Sequence, residues 1–250
     1  MTGNKVAPTS TALQARLRLY QPTQRPCERQ GHWMETSFGR CKVTGRLGQR
    51  HADVIEGMLY VAEKKRDVSD GGVELLVDPA KLRRVLSDNQ YSMAQLEKLL
   101  TELRAATISI EVAQFDFPII GGLIDHVIPS PMTRYDPLKQ GERNLWRVRL
   151  GKALVMLLEH DFSLHYPPTA IARLNYGISQ AVARHVLSHK NAPLGGWYLD
   201  TLIVAVCGEG LSSQTLRDRR RRLKKDASGL QILGIEITPD NKVKRGTPAR

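Results

Sequence analysis

Seven cations crowd into the nine residues Arg217-Asp218-Arg219-Arg220-Arg221-Arg222-Leu223-Lys224-Lys225. A guanidinium group either pairs with O6 and N7 of guanine or clamps phosphate oxygens, so such a run suits a polyanionic duplex. Just ahead lie Ser213 and Gln214, short polar side chains able to reach base edges. On a helical period Leu216, Leu223 and Ala227 share one face, with Arg220 at its margin lending an aliphatic stem. Gln214, Arg217, Arg221 and Lys225 fall opposite. A buried stripe, a polar start and a basic body describe a helix built to lie in a DNA groove. Lys242, Lys244 and Arg245 follow in a second basic stretch that reads as the strand of a flanking hairpin.

Other chemistry finds less support. His185 and His189 stand four apart on a predicted helix, a spacing that suits zinc, but no HExxH glutamate and no cysteine pair accompany them. His165-Tyr166 follows a predicted strand as in relaxases and rolling-circle nucleases, yet Ser163 occupies the place of their second histidine. There is no GxxxxGK[ST] loop and no GxSxG elbow. Tyr20, Tyr60, Tyr91 and Tyr198 have no partner placed by spacing. The expectation is a protein without catalytic residues, metal or cofactor.

The basic helix needs a frame. Ser212 caps it, and the turn Gly208–Leu211 joins it to a helix running from Asp200, as cap, to Cys207. Before these come a helix over Gly177–Leu187 and a short strand at Trp197–Leu199; after them, Gly229 releases a strand over Leu230–Ile237. The same order is predicted about 120 residues earlier. It runs through a helix over Gln49–Ala62, a strand over Val73–Val77 and a helix over Pro79–Leu86 capped by Asp78. A polar turn then leads to a helix over Ser92–Ala105, and strands over Thr107–Val112 and Leu123–Ile128 form a hairpin. Asp78 matches Asp200, Ser92 matches Ser212, and Leu96 and Leu103 match Leu216 and Leu223. The first copy of the reading helix is weakly basic, since Glu97 and Glu102 oppose Lys98 and Arg104. Tyr91, Ser92, Gln95 and Lys98 are its candidates for a secondary DNA-binding or dimer surface.

The predicted class is therefore α+β: two tandem winged helix-turn-helix domains preceded by a flexible basic N-terminal arm. Residues 1–45, with three prolines, many arginines and little periodicity, form the disordered arm. Residues 46–128 form the first domain, 129–142 (Pro129, Pro131, Pro137, Gly141) the linker, and 143–250 the main DNA-recognition domain. Within the second half, strands are expected at Arg143–Leu150 and Phe162–His165, and a buried helix at Lys152–His160.

Composition agrees with such a partner. The 250 residues carry 37 Lys and Arg against 25 Asp and Glu, a formal charge of +12 that attracts nucleic acid. Three scattered cysteines, Cys27, Cys41 and Cys207, suggest a reducing compartment. With no long apolar stretch and a polar start, the chain reads as cytoplasmic and free of membrane spans.

Residues Ile178–Leu187, Trp197–Leu202, Ser213–Leu223 and Leu230–Ile237 resemble the C-terminal winged helix of plasmid replication initiators of the TrfA and IncQ RepC types. Val206-Cys207-Gly208 and Leu233-Gly234 stand where those proteins carry a Leu-Cys-Gly-like step and a Leu-Gly strand. The likeness covers about residues 45 to 245, with specific motifs only in the last third. It implies binding of repeated origin sequences (iterons), opening of adjacent AT-rich DNA, and recruitment of the host initiator and replicative helicase. It also implies an exchange between monomers and homodimers that uses the first winged helix. The weakly basic first reading helix departs from the pattern. A transcriptional or partition regulator needs the same groove reader, and an endonuclease or relaxase would need His165, His185 or a tyrosine.

Overall fold

The computed structural model describes residues 8–87, 91–136 and 140–246. The chain opens with β1 (Ser10–Thr11), α1 (Ala12–Arg16), β2 (Arg29–Thr36) and β3 (Gly39–Gly45). Then come α2 (Gln49–Val61), β4 (Lys64–Val68), β5 (Gly72–Val77), α3 (Pro79–Leu86) and α4 (Met93–Ala105). The strands β6 (Thr107–Glu111), β7 (Ile119–Gly122), β8 (Ile124–Asp136) and β9 (Gly141–Leu150) follow. Next are α5 (Lys152–His160), β10 (Ser163–Leu164), α6 (Thr169–Ala172), α7 (Gly177–Leu187), β11 (Trp197–Tyr198) and α8 (Leu199–Cys207). The chain closes with α9 (Ser213–Lys225), α10 (Ala227–Ile232), β12 (Ile235–Ile237) and β13 (Lys242–Arg245).

Helices start where side chains satisfy their free N–H groups. Asp78 accepts from the amides of Ala80 and Lys81, with Pro79 in the first turn where no donor is needed. Ser92 and Gln95 form a reciprocal capping box on α4, and Ser212 accepts from the Thr215 amide on α9. Asp200 does not cap α8. Tyr198 holds that position, because the helix begins before the aspartate, and Asp200 is left to bind elsewhere.

The named strands pair antiparallel. One sheet has the order β2-β3-β6-β7, a second β4-β5-β9-β8, a third β11-β13-β12, and β1 pairs with β10. Two apolar cores result. Leu19, Ile55, Met58, Leu82, Leu96 and Leu103 anchor the first; Ile178, Val182, Ile203, Leu223, Leu230 and Val243 anchor the second. In the second core α7, α8 and α9 pack on one another beside β11-β13-β12. In the first, α2 packs on α3 and α4 beside β5-β9-β8. The strand that leads into the helix pair, β5 in the first half and β11 in the second, thus joins the last strand of a hairpin in both halves. The sheet β2-β3-β6-β7 is an addition to the first.

Several expectations need correction. Residues 8–45 are not a disordered arm: Leu13, Leu17, Leu19, Tyr20, Cys41 and Val43 are buried in the first core. Their partners lie far along the chain, with Ser10 and Thr11 opposite Leu164 and Ser163. A bulge between Gln30 and Trp33, at Gly31 with φ +78°, breaks the alternation of β2 and hides the strand. Residues 1–7 of the expected arm lie outside the described residues.

The stretch 129–142 is not a linker. It is the outer part of the β8–β9 hairpin, with 137–139 outside the described residues. Pro129 and Pro131 are tolerated because β8 is an edge strand and the register shifts between Pro129 and Thr133. The hairpin partner of Thr107–Glu111 is Ile119–Gly122 rather than 123–128, of which 124–128 belong to β8. Leu230–Ile237 is not one strand: Leu230 is buried within α10, and Gly234, at φ +73°, makes the turn into a shorter β12. In the expected polar turn, 88–90 lie outside the described residues, as do 247–250 at the end of the second domain.

Candidate nucleic-acid interface

The helix α9 presents the two sides that its sequence predicts. Leu223 is buried and Leu216 packs partly buried on the second core. Ala227 falls on α10 instead, because α9 ends at Asp226. That carboxylate is buried and accepts from the amides of Asn175 and Tyr176 and from the Asn175 side chain, which fixes the end of α9 to the start of α7. On the outer side Ser213, Gln214, Arg217, Arg221, Lys224 and Lys225 are exposed, while Arg219, Arg220 and Arg222 are half-buried. Arg217, Arg220, Arg221, Lys224 and Lys225 line one shallow, open groove.

Not all of these cations are free to meet a ligand. Arg220 binds both oxygens of Asp200 on α8 at 2.5 Å, and this contact holds the Asp200 carboxyl below the usual carboxylate range. Arg221 and Arg222 reach the two oxygens of Asp218 at 2.8 and 2.9 Å. Arg217, Arg219, Lys224 and Lys225 have no ion-pair partner among the described residues. Arg220 is thus a brace between α8 and α9, and the unpaired cations are the ones that need counter-ions. On the flanking hairpin Lys244 is exposed, and Lys242 lies 3.5 Å from Asp240 and 5.7 Å from the Tyr198 ring. Arg245 donates to the His189 carbonyl, which turns it toward the protein.

In the first half the matching surface differs from its expected form. Tyr91 is buried and donates to Asp53, so its hydroxyl cannot meet DNA or a second copy. Ser92 and Gln95 are exposed but engaged in the cap of α4; Lys98 is exposed. What the sequence hid is that Arg25 from the supposed arm, Arg46 just after β3 and Arg50 at the start of α2 join Gln95 and Lys98 around one cleft. No spacing rule links segments so far apart.

A second feature escaped sequence reading. Arg184 on α7 is buried between the halves and donates to Asp53 and Glu56 on α2 at 2.6 to 2.9 Å, and to Gln49 at 2.7 Å. Tyr91 and Gln180 donate to Asp53, and Tyr166 donates to Glu56. Burial alone would lower the Arg184 pKa, but the two carboxylates outweigh it and hold the guanidinium charged. The histidine pair is also accounted for. His185 is buried against Phe38, and its pKa is pushed down to about 4 by burial and by nearby His189 and Arg16. His189 Nδ1 lies 2.8 Å from the His185 carbonyl and so carries the proton. Among the described residues no group of three or more metal-binding side chains is present, and no helix is long and apolar enough to cross a membrane.

Comparison with known proteins adds the architecture. Selenomethionine derivatives of domains 2 and 3 of RctB superpose with a TM-score of 0.54, covering 96% of this chain and 96% of that one, at 10% identity. The two chains share a fold. A second structure of RctB domains 2–3 gives a TM-score of 0.48 at 10% identity, over 90% of this chain and 86% of that one. No protein-family description and no curated protein matches the sequence. The likeness to domains 2 and 3 of RctB extends through both halves of this chain.

Proposed function

We propose that this protein is a replication initiator of the plasmid type, binding repeated origin sites in duplex DNA through two winged helix-turn-helix modules. In this reading α8 and α9 are the helix pair of the second module, β12–β13 is its wing, and α9 enters the major groove. In the first module α3 and α4 are the pair and β8–β9 the wing. The observation that carries the reading is the outer face of α9: unpaired, exposed Arg217, Lys224 and Lys225 beside Gln214 at the helix start. A helix fits the groove of about 12 Å, with its first turn aimed at base edges. The fold shared with domains 2 and 3 of RctB supports a two-module arrangement. The resemblance of residues 178–237 to plasmid initiators supports the role.

Initiation itself comes from opening AT-rich DNA beside the repeats and recruiting the host initiator and helicase, with a homodimer through the first half as a resting form. The chain needs no catalytic group for this. The test is transformation with a plasmid whose only replicon is this gene and its upstream DNA. Autonomous replication lost on Arg217→Ala is the expected result. Failure of the wild-type plasmid to replicate, with operator binding intact, would make the protein a regulator instead.

A further inference from the structure

We propose that the cleft between the two halves, walled by the β2–β3 turn and by α7 and α8, binds an extended segment of a partner protein. The segment carries an apolar side chain followed by a lysine or arginine. The cleft has a volume of about 630 Å³, room enough to engulf a few residues of peptide.

Its walls are apolar and already in place. Met34 and Phe38 come from the hairpin, Val204 and Ala205 from α8. The Arg16 guanidinium lies 4.7 Å over the Phe38 ring and donates to Ser188 at the end of α7, so the ring is pinned where it stands. The turn beneath it is closed by Thr36, which donates to the Gly39 carbonyl at 2.7 Å and accepts from the Phe38 amide at 3.2 Å. A preformed wall takes an apolar side chain without first having to order itself.

Two side chains that line the cleft also hold polar atoms that the fold leaves wanting. His185 is only 6% exposed. Its N–H is spent on the Ala15 carbonyl, and burial keeps the ring neutral. Its Nδ1 is buried with no hydrogen-bond partner among the described residues, a bare acceptor. Arg18 donates through Nη2 to the Glu35 carbonyl, while its Nε, also buried, has no acceptor. A buried polar atom costs free energy until something pairs with it. An extended main chain brings what both lack, an N–H for Nδ1 and a carbonyl for Nε.

Charge decides what flanks the apolar side chain. Arg16 and Arg18 are half-buried and tied to carbonyl oxygens, whereas Glu35 and Glu209 are exposed. Glu35 comes only within 4.0 Å of Arg40, and Glu209 has no ion-pair partner among the described residues. Two loose carboxylates at one opening attract a cationic side chain and repel a phosphate. That sets this cleft apart from the nucleic-acid surface on α9.

The experiment uses the full chain without DNA. The probes are labelled, end-capped pentapeptides in which leucine or phenylalanine precedes lysine at each spacing in turn, and matched peptides with glutamate in place of lysine. A nucleoside triphosphate serves as competitor. Fluorescence anisotropy reads binding, and NMR follows the ring nitrogens of His185. The lysine set should saturate, and its best member should shift the Nδ1 resonance, as an acquired hydrogen bond does. Glu209→Lys, on an exposed turn, should keep the melting temperature, weaken the lysine set about tenfold and favour the glutamate set. Phe38→Ala should weaken both sets. No saturation at about 1 mM peptide, equal affinity for the two sets, or displacement by the triphosphate overturns the inference. So does an affinity for the lysine set that Glu209→Lys leaves unchanged. Because no arm contains DNA, failure of α9 to bind a duplex would leave these results as they are.

Discussion

Replacing Arg217 and Arg220 by alanine, one at a time, separates a side chain that touches DNA from one that only holds the reading helix. Arg217 is exposed and has no ion-pair partner among the described residues, so it can neutralise a phosphate and release the cation condensed on the DNA there. One neutralised phosphate contributes about 0.9 to the slope of log affinity against log salt. Between 50 and 200 mM salt the wild type should therefore lose about 3.5-fold more affinity than Arg217→Ala. If Arg217 reads a guanine, about 1–3 kcal/mol is lost as well, roughly 5- to 150-fold, on the preferred site alone.

Arg220 is already satisfied by both oxygens of Asp200, in a pair whose side chains are 35% and 44% exposed. Solvent screens such a pair, and its loss costs at most about 1 kcal/mol. Arg220→Ala should thus melt a few degrees lower and leave the salt slope where it was. Fluorescence anisotropy of a labelled duplex, with thermal melting on the same samples, measures both. Equal slope changes in the two variants would refute the division of α9 into brace and reader.

Three more outcomes follow from the interior. Tyr91→Phe should cost about 1–3 kcal/mol by removing a buried donor from Asp53 and leave DNA affinity unchanged; reduced affinity at unchanged stability would return Tyr91 to the binding surface. Arg184→Met should cost about 3–5 kcal/mol in urea denaturation, since it strands two buried carboxylates; a loss below about 1 kcal/mol would show that the halves do not depend on the cluster. His185 stays neutral in the fold down to about pH 4, whereas the unfolded ring protonates near 6.5, so stability should be flat above about pH 6.5 and fall on acidification toward 4. His185 contributes up to about 3 kcal/mol of that loss, beside smaller shares from His51 and His189, whose pKa values are also lowered by burial. His185→Gln should therefore make the fall shallower; an unchanged profile would place the acid sensitivity elsewhere.

Local chemistry made a good part of this molecule legible in its sequence. Asp78-Pro79, Ser92 with Gln95, and Ser212 mark three helix starts, because a cap is decided within four residues. The two faces of α9 follow from helical spacing alone. The rest depends on partners remote in sequence. Trp33 and Met34 in β2 look like part of an unpatterned arm until β3 lies beside them. Pro129 and Pro131 look like a linker until β8 is found at a sheet edge. Asp53 and Glu56 interrupt an apolar helix without explanation until Arg184 arrives from α7. The cationic cleft is a matter of assembly alone, since separate segments supply it.

The pairing of β1 with β10 bears on how the chain is made. Ser10 and Thr11 leave the ribosome about 150 residues ahead of Ser163 and Leu164, which complete their ladder. Thr9 likewise waits for the carbonyls of Leu164 and Tyr166. Pairings so distant in sequence are slow to form, because the loop they close must first give up its freedom. The leading segment therefore docks late, after α2, α3 and α4 can already have gathered. Until it does, the nascent first half lacks Leu13, Leu17 and Leu19 from its core and exposes the apolar surface they would cover. Ribosome-bound chains halted before Ser163 should remain open to proteolysis near the N-terminus, and those released beyond Tyr166 should close.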